Sequence, residues 1–300
     1  MIAAITGATG YVGRFIVEHL IAEGISVRAW RRPSSALTGL PQDIDWIEGA
    51  LDSPDAAAVL VKNADMLVHA ALDHLSGRYR GGEGGDLPRY LSTNVGGGLA
   101  LLARAREAGV RRCVVLSSRA VFGRSGPAAS VGDDDAVNPD THYGASKVAL
   151  EAFVRSFGAE GWPIAALRPT GVYGMVAPAA RSKWFDLVER TLRGETVEPR
   201  AGTEVHGRDV AEAVWRLLQA APADISGRAF NCSDIVVSTR DIVGLVHSFA
   251  DISGPLPEAV PPPANVMRCD GLSRLGLIFG GRPLLEETIA ALVEAARMRD

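Results

Sequence analysis

Cysteine is scarce in this chain: Cys113, Cys232 and Cys269 are the only three in 300 residues. They are odd in number, far apart and without metal-ligand spacing. Neither a disulfide framework nor a cysteine metal centre fits, and reduced, mostly buried thiols in a cytoplasmic protein are expected. No apolar run approaches the ~20 residues that span a bilayer. The opening Met1-Ile2-Ala3-Ala4-Ile5-Thr6 has no basic leader or cleavage site, which argues against a secretory signal. Positive charge is not in excess either: 31 Lys and Arg stand against 35 Asp and Glu, a formal net charge of −4. That balance gives no support to a nucleic-acid or membrane-surface binder. No cluster of His, Cys, Asp and Glu has metal spacing, and Asp133-Asp134-Asp135 reads as a solvated acidic loop, so no metal is expected. What is present, 47% hydrophobic and 22% charged residues, is ordinary globular usage and excludes disordered and fibrous classes.

Short β-type runs alternate with helical stretches through the first half. Ile2–Thr6, Ser26–Trp30, Asp45–Glu48, Met66–Ala70, Arg112–Ser117 and Ile164–Leu167 read as strands. Tyr11–Ala22, Pro54–Val61 and Pro88–Ala108 read as the helices between them. This alternation predicts an α/β fold with a doubly wound parallel sheet, Rossmann-like, covered on both faces. After about residue 165 the rhythm loosens into helices near 182–193, 209–221, 240–250 and 284–297 with Pro-rich connectors. The expected organisation is a dinucleotide-binding part over 1–165 and a smaller, irregular substrate-binding region over 166–300, partly interleaved with it. The Gly-dense segment 73–86 follows a strand where open α/β sheets place their ligand crevice; a lid and a plain surface insertion both stay open.

Thr6-Gly7-Ala8-Thr9-Gly10-Tyr11-Val12-Gly13 joins the first strand to its helix. A tight strand-to-helix turn needs residues without Cβ where φ is positive or a pyrophosphate approaches the backbone. The helix start then favours the anion. Position at the first β/α junction makes this Gly-x-x-Gly-x-x-Gly run a dinucleotide signature. The second strand ends Val27-Arg28-Ala29-Trp30-Arg31-Arg32, without the acidic residue that binds a ribose 2′-hydroxyl in NAD-binding proteins. Guanidiniums suit a 2′-phosphate, so Arg31 and Arg32 point to NADP over NAD; the alternative is that both are solvated surface charges.

Tyr143-Gly144-Ala145-Ser146-Lys147 places a phenol and an ammonium at i, i+4 on one helical face. A phenol of pKa ~10 exchanges protons poorly at neutral pH, and a nearby cation lowers that value. With five Tyr and three Lys in the chain, such spacing arises by chance only about 0.05 times. Ser118, after the fifth strand, would lie at the carboxyl edge of the sheet beside the cofactor.

These motifs resemble the extended short-chain dehydrogenase/reductase family, of the NAD-dependent epimerase/dehydratase type. The resemblance continues through His69-Ala70-Ala71, Asn94-Val95 with Gly97, Arg168-Pro169-Thr170-Gly171-Val172-Tyr173-Gly174, His206 with Asp209-Val210-Ala211, and Phe230-Asn231. It implies that Tyr143 is the acid/base, that Lys147 holds the nicotinamide ribose and depresses the Tyr143 pKa, and that Ser118 hydrogen-bonds the reacting oxygen. It further implies cofactor contacts at Gly7, Thr9, Gly10, Tyr11, Val12, Gly13, Leu51, Ala70, Ala71, Asn94, Pro169 and Val172. For Asn94 a structural role is the equal alternative. Arg181 and Lys183 are candidate substrate contacts, while Trp184, Leu187 and Val188 read equally as core. The family often dimerises through the helices near 88–108 and 145–158, whose apolar residues Leu99, Leu102, Val148 and Phe153 suit a homodimer or simple packing.

Two departures matter. Ala50 stands where the family usually has an Asp touching the adenine. Gly202, in Ala201-Gly202-Thr203-Glu204-Val205-His206, stands where nucleotide-sugar members are similar to Arg-Asp-Tyr/Phe-Ile-His and the Arg grips a diphosphate. The expectation is therefore an NAD(P)-dependent oxidoreductase acting on a small carbonyl or hydroxyl compound, with a nucleotide-sugar epimerase or dehydratase holding tightly bound NAD as the alternative.

Overall fold

The computed structural model describes residues 1–75, 81–123 and 130–299. Part of the expected 73–86 loop, residues 76–80 with Gly77, thus lies outside the described residues. Twelve strands are described: β1 (Ile2–Thr6), β2 (Ser26–Arg31), β3 (Ile44–Glu48), β4 (Met66–His69), β5 (Arg112–Leu116), β6 (Ser130–Val131), β7 (Ile164–Pro169), β8 (Gly171–Tyr173), β9 (Ala201–His206), β10 (Arg228–Cys232), β11 (Ile235–Ser238) and β12 (Val266–Met267). The helices are α1 (Tyr11–Ala22), α2 (Pro54–Val61), α3 (Leu87–Leu91), α4 (Gly98–Glu107), α5 (His142–Ala159), α6 (Phe185–Leu192), α7 (Gly207–Gln219), α8 (Pro222–Ile225), α9 (Thr239–Ala250), α10 (Asp270–Arg274) and α11 (Gly281–Arg297).

Seven strands form one parallel sheet in the order β10-β7-β5-β4-β1-β2-β3. Alternation along each strand sorts the apolar residues between two cores. Ala3, Ile5, Val27, Ala29, Val114 and Leu167 pack under α1 and α7 on one face. Ala4, Trp30, Leu67, Val115 and Ala166 pack under α2, α4 and α5 on the other. The order reverses between β1 and β4, and the crevice outside their carboxyl ends is where such sheets bind ligands.

Residues beyond 166 return to this sheet through β10 and α7. The rest of that stretch builds a smaller unit: a three-stranded sheet β11-β9-β8 and a separate core in which α6, α9 and α11 meet. Trp184 and Leu187 pack against this core and Val188 lies within it, with Trp184 stacked on Tyr173 at 5.1 Å.

The helix expected over 88–108 is interrupted. Between α3 and α4, Ser92–Gly97 forms a π-helical turn. Gly97 there meets the Leu51 carbonyl so closely that a Cβ would lie 2.2 Å from its oxygen. Such widened turns mark places where a side chain or neighbouring backbone enters the ladder. Of the four apolar residues considered for a dimer, Leu102 belongs to the core, Leu99 and Val148 are half-buried, and Phe153 is 44% exposed. No helix among the described residues is long and apolar enough to cross a membrane.

Candidate active site

The turn after β1 shows why its glycines are there. Gly7 has φ +77°, and a Cβ on it would sit 2.6 Å from the Ala70 carbonyl carbon at the end of β4. The Gly10 amide donates to the Gly7 carbonyl at 2.9 Å. Gly10 also occupies the N-cap of α1 in extended conformation, and no side chain caps that helix. By contrast α5 is capped by Thr141 and α9 by Ser238 and Asp241. Orphan N–H groups and the positive helix end therefore face outward at α1 alone of these three, which fits a bound pyrophosphate. Thr6 Oγ1 bonds His69 Nδ1 at 2.8 Å and accepts from the Ala71 amide at 3.2 Å, pinning β1 to the end of β4. Burial, then the Lys147 charge, lowers the His69 pKa to about 3; the ring is a neutral packing group.

A cleft of about 1400 Å³ opens from this turn. It is lined by Gly7, Thr9, Gly10, Tyr11, Val12, Gly13, Arg32, Leu51, Ala70, Ala71, Ser118, Tyr143, Lys147, Pro169, Val172, Arg181 and Lys183. The dinucleotide turn and the Ser/Tyr/Lys set thus share one space. Among the described residues seven cations (Arg32, Arg89, Arg119, Lys147, Arg181, Lys183, Arg200) and three carboxylates (Asp52, Asp73, Glu204) line it. A surplus of four positive charges in a chain of formal charge −4 favours an anionic ligand.

Ser118 follows β5 in extended conformation, its Oγ accepting from the Ala120 amide at 3.2 Å. The short 3-10 turn Arg119–Phe122 then abuts the start of α5. Gly144 permits this, since a Cβ there would lie 2.4 Å from the Ala120 carbonyl oxygen. Tyr143 is half-buried and Lys147 is 5% exposed. The Lys147 ammonium stands 5.9 Å from the Tyr143 ring centroid and donates to the Leu116 carbonyl at 2.8 Å. Burial lowers the Lys147 pKa to about 8, with the Glu151 charge opposing.

Arg31 and Asn94 do not line the cleft. Successive strand residues face opposite sides, so Trp30 and Arg32 point toward the cleft and Arg31 turns the other way. Arg32 lies beside Ser35, whose Oγ accepts the Arg32 amide. Its guanidinium meets Asp73 at 3.4 Å, and Arg89 reaches the same carboxylate at 3.3 Å. Asn94 is 3% exposed in the π turn and clamps Asp73 from behind, accepting its amide at 2.7 Å and donating to its carbonyl at 2.8 Å. These bonds hold the loop after β4. His74 also lines the cleft, with burial lowering its pKa.

Arg181 and Lys183 part company. Arg181 donates to the Thr9 carbonyl at 3.2 Å. Lys183 instead pairs with Glu204, against a wall formed by Gly171, where a Cβ would lie 2.4 Å from Glu204 Oε2. Burial raises the Glu204 pKa and lowers that of Lys183. Gly202 and Arg200 line this same end.

Several residues have roles that sequence reading did not assign. Behind Lys147, Arg168 bonds Glu151 through two nitrogens at 2.9 and 2.7 Å, and the Ser117 hydroxyl donates to the same carboxylate. Both side chains are nearly buried, 3% and 9% exposed. The signal was available: 143, 147 and 151 form an i, i+4, i+8 row. Arg14, 1% exposed in α1, donates to the carbonyls of Ala36, Thr38 and Ala177; a charge amid the apolar spacing of that helix was its only trace. Asp133 is no solvated loop residue: it accepts from the Asn231 and Gly271 amides at 2.6 and 2.9 Å, stapling β10 to α10. No group of three metal-ligating side chains occurs among the described residues.

A profile of the NAD dependent epimerase/dehydratase family matches residues 3–233. A 3 beta-hydroxysteroid dehydrogenase/Delta 5-->4-isomerase of Mycobacterium tuberculosis is 33% identical over 195 residues, 61% of this chain and 50% of the dehydrogenase. The chain thus spans about half the length of the first curated relatives it matches. A UDP-glucose 4-epimerase of Streptomyces lividans is 25% identical, covering 84% of this chain and 83% of the epimerase. Among solved structures, MoeE5 in complex with UDP-glucose and NAD superposes with TM-score 0.76 at 27% identity, covering 99% of each chain. The Thermus thermophilus UDP-glucose 4-epimerase with NAD gives TM-score 0.79 at 22% identity, again over 99% of each, and shows the shared fold.

Proposed function

The chain belongs to the NAD dependent epimerase/dehydratase family, and we propose that within it the protein is an NADP-preferring oxidoreductase acting on a small carbonyl or hydroxyl compound. The observation that carries this reading is the convergence of Ser118, Tyr143 and Lys147 on the cleft that opens from the uncapped glycine turn. When bound, a nicotinamide dinucleotide supplies hydride donation and acceptance. Gly7–Gly13 would hold its pyrophosphate, and Lys147 would hold its ribose.

The remaining chemistry falls to the chain. The Tyr143 hydroxyl passes a proton to or from the substrate oxygen, and Lys147, largely protonated below its pKa of about 8, stabilises the phenolate left behind. The Ser118 hydroxyl hydrogen-bonds the same oxygen as its charge develops. Glu151, held by Arg168, keeps a negative charge behind Lys147 that favours its ammonium form. The preference for NADP is supported by Arg32 and Arg89 at the cleft and by the missing carboxylate at the end of β2. A cofactor-coupled screen of aldehydes, ketones and sugar alcohols at 340 nm tests the activity. Tighter binding of NADH than of NADPH would remove the cofactor preference.

A second reading is a nucleotide-sugar epimerase or dehydratase with resident NAD, favoured by similarity to the Streptomyces epimerase over 84% of this chain. Gly202 in place of a diphosphate-gripping arginine weighs against it. NAD(H) retained through purification, with no net absorbance change on turnover, would select this second reading.

A further inference from the structure

We propose that Arg181 is a cofactor residue, an arginine strap that holds the pyrophosphate of a nicotinamide dinucleotide against the glycine turn from the substrate side. The inference rests on reading the cleft as a nicotinamide dinucleotide site.

The segment from Gly174 to Lys183 is sewn onto the start of α1. The Tyr11 hydroxyl donates to the Gly174 carbonyl at 2.6 Å and accepts from the Lys183 amide at 3.1 Å. Arg14 donates to the Ala177 carbonyl between them at 3.1 Å. Ser182 Oγ accepts the Val176 amide at 2.9 Å, closing the segment on itself. This stitching delivers Arg181, the last residue of a short 3-10 turn, to the Thr9 carbonyl at 3.2 Å. Thr9 lies inside the Gly-x-x-Gly turn.

Charge makes the arrangement unbalanced without an anion. Lys183 has Glu204, Arg32 and Arg89 share Asp73, and Arg168 has Glu151, whereas Arg181 forms no ion pair among the described residues. Its neighbour Arg14, buried and committed to the carbonyls of Ala36, Thr38 and Ala177, is a second guanidinium behind the turn, whose pKa is lowered by burial and then by Arg181, with Glu18 opposing. Arg181, at the cleft beside a positive helix end, is a favourable partner for a diphosphate. One guanidinium nitrogen is used by Thr9, and the fork retains further donors.

The test is calorimetric titration of the nucleotide-free chain with NADPH, NADH, ADP-ribose and AMP. Arg181→Ala should weaken NADPH, NADH and ADP-ribose alike by about tenfold, the scale of one charge-assisted hydrogen bond, and leave AMP unchanged. Arg181→Gln, which can still donate to Thr9 but has no charge, should fall with alanine, while Arg181→Lys keeps part of the affinity. Wild-type affinity in the Gln variant makes Arg181 a mere brace of the turn and overturns the strap. Unchanged dinucleotide affinity in the Ala variant, with a raised substrate KM at saturating cofactor, returns Arg181 to the substrate. Wild-type protein that binds none of the dinucleotides overturns the cofactor reading itself, and the strap with it.

Discussion

The two ends of the cleft are built from different materials. The nucleotide end is backbone: Gly7 in the left-handed region, the uncapped start of α1, and the close packing of the turn on Ala70. The end that the proposed function gives to the substrate is side chain: the Lys183–Glu204 pair standing on Gly171, with Arg200 beside it. A backbone site recognises any ligand with the right phosphate geometry. A site of paired charges selects by the groups a ligand offers in exchange. Ser118, Tyr143 and Lys147 line the same cleft, and on the proposed reading they join the two, so that one scaffold can keep its cofactor and vary its substrate.

Tyr143 offers the largest effect. Tyr143→Phe removes the proton carrier and should lower kcat by roughly 10³-fold, while calorimetric affinity for the dinucleotide stays within about twofold. If turnover survives, the junction of the two ends lies elsewhere.

At the nucleotide end, Gly7→Ala must force a side chain into φ +77° and into the Ala70 backbone. The expected cost is at least about 3 kcal/mol in chemical denaturation, together with loss of dinucleotide binding. The substrate end should respond differently. Lys183→Met leaves the Glu204 carboxylate, 10% exposed, without its partner. A fully buried pair would cost ~3–5 kcal/mol to break; partial exposure of Lys183 reduces this to about 2 kcal/mol. Dinucleotide affinity should hold, and adding Glu204→Gln should recover part of the loss. Equal damage to cofactor binding by both substitutions would erase the distinction between the ends.

The same division governs what could be read from the sequence. The nucleotide end and the catalytic pair are local: Gly7 to Gly13 and Tyr143 to Lys147 lie within a turn or two, so spacing alone places them. The first six parallel strands were legible for a similar reason, as compact apolar runs between turn residues. The substrate end is made by distant partners. Lys183 meets Glu204 across 21 residues and Arg181 meets Thr9 across 172, and neither pairing leaves a periodic trace. β8 and β11 run only three and four residues, and β9, though six residues long, lacks a compact apolar run, so their sheet was invisible. Arg31 was placed beside Arg32 because adjacency in sequence suggested a pair, whereas the strand's pleat separates them.

Lys147 gives a pH test of the junction. Its pKa lies at about 8 in the folded protein against 10.5 ordinarily, so between those values the unfolded chain binds more protons. Stability from this group therefore rises as pH climbs from about 8 toward 10.5, and its burial cost is fully present below 8. Urea titrations across that range should show this rise in the wild type relative to Lys147→Met. Parallel curves would mean that Lys147 is not buried as a charge.

The smallest effect lies at the outer edge of the nucleotide end, where charge rather than backbone does the selecting. Arg32 and Arg89 converge on Asp73, a carboxylate that a 2′-phosphate could replace as their counter-ion. Arg32→Ala should weaken NADPH about tenfold, near 1.4 kcal/mol, and NADH less than about twofold. That pattern differs from the one expected for Arg181, where both dinucleotides fall together, because the 2′-phosphate belongs to one cofactor and the pyrophosphate to both. Equal losses in Arg32→Ala would make Arg32 a general electrostatic contributor. The nucleotide end would then be indifferent to the 2′ position, as a purely backbone site should be.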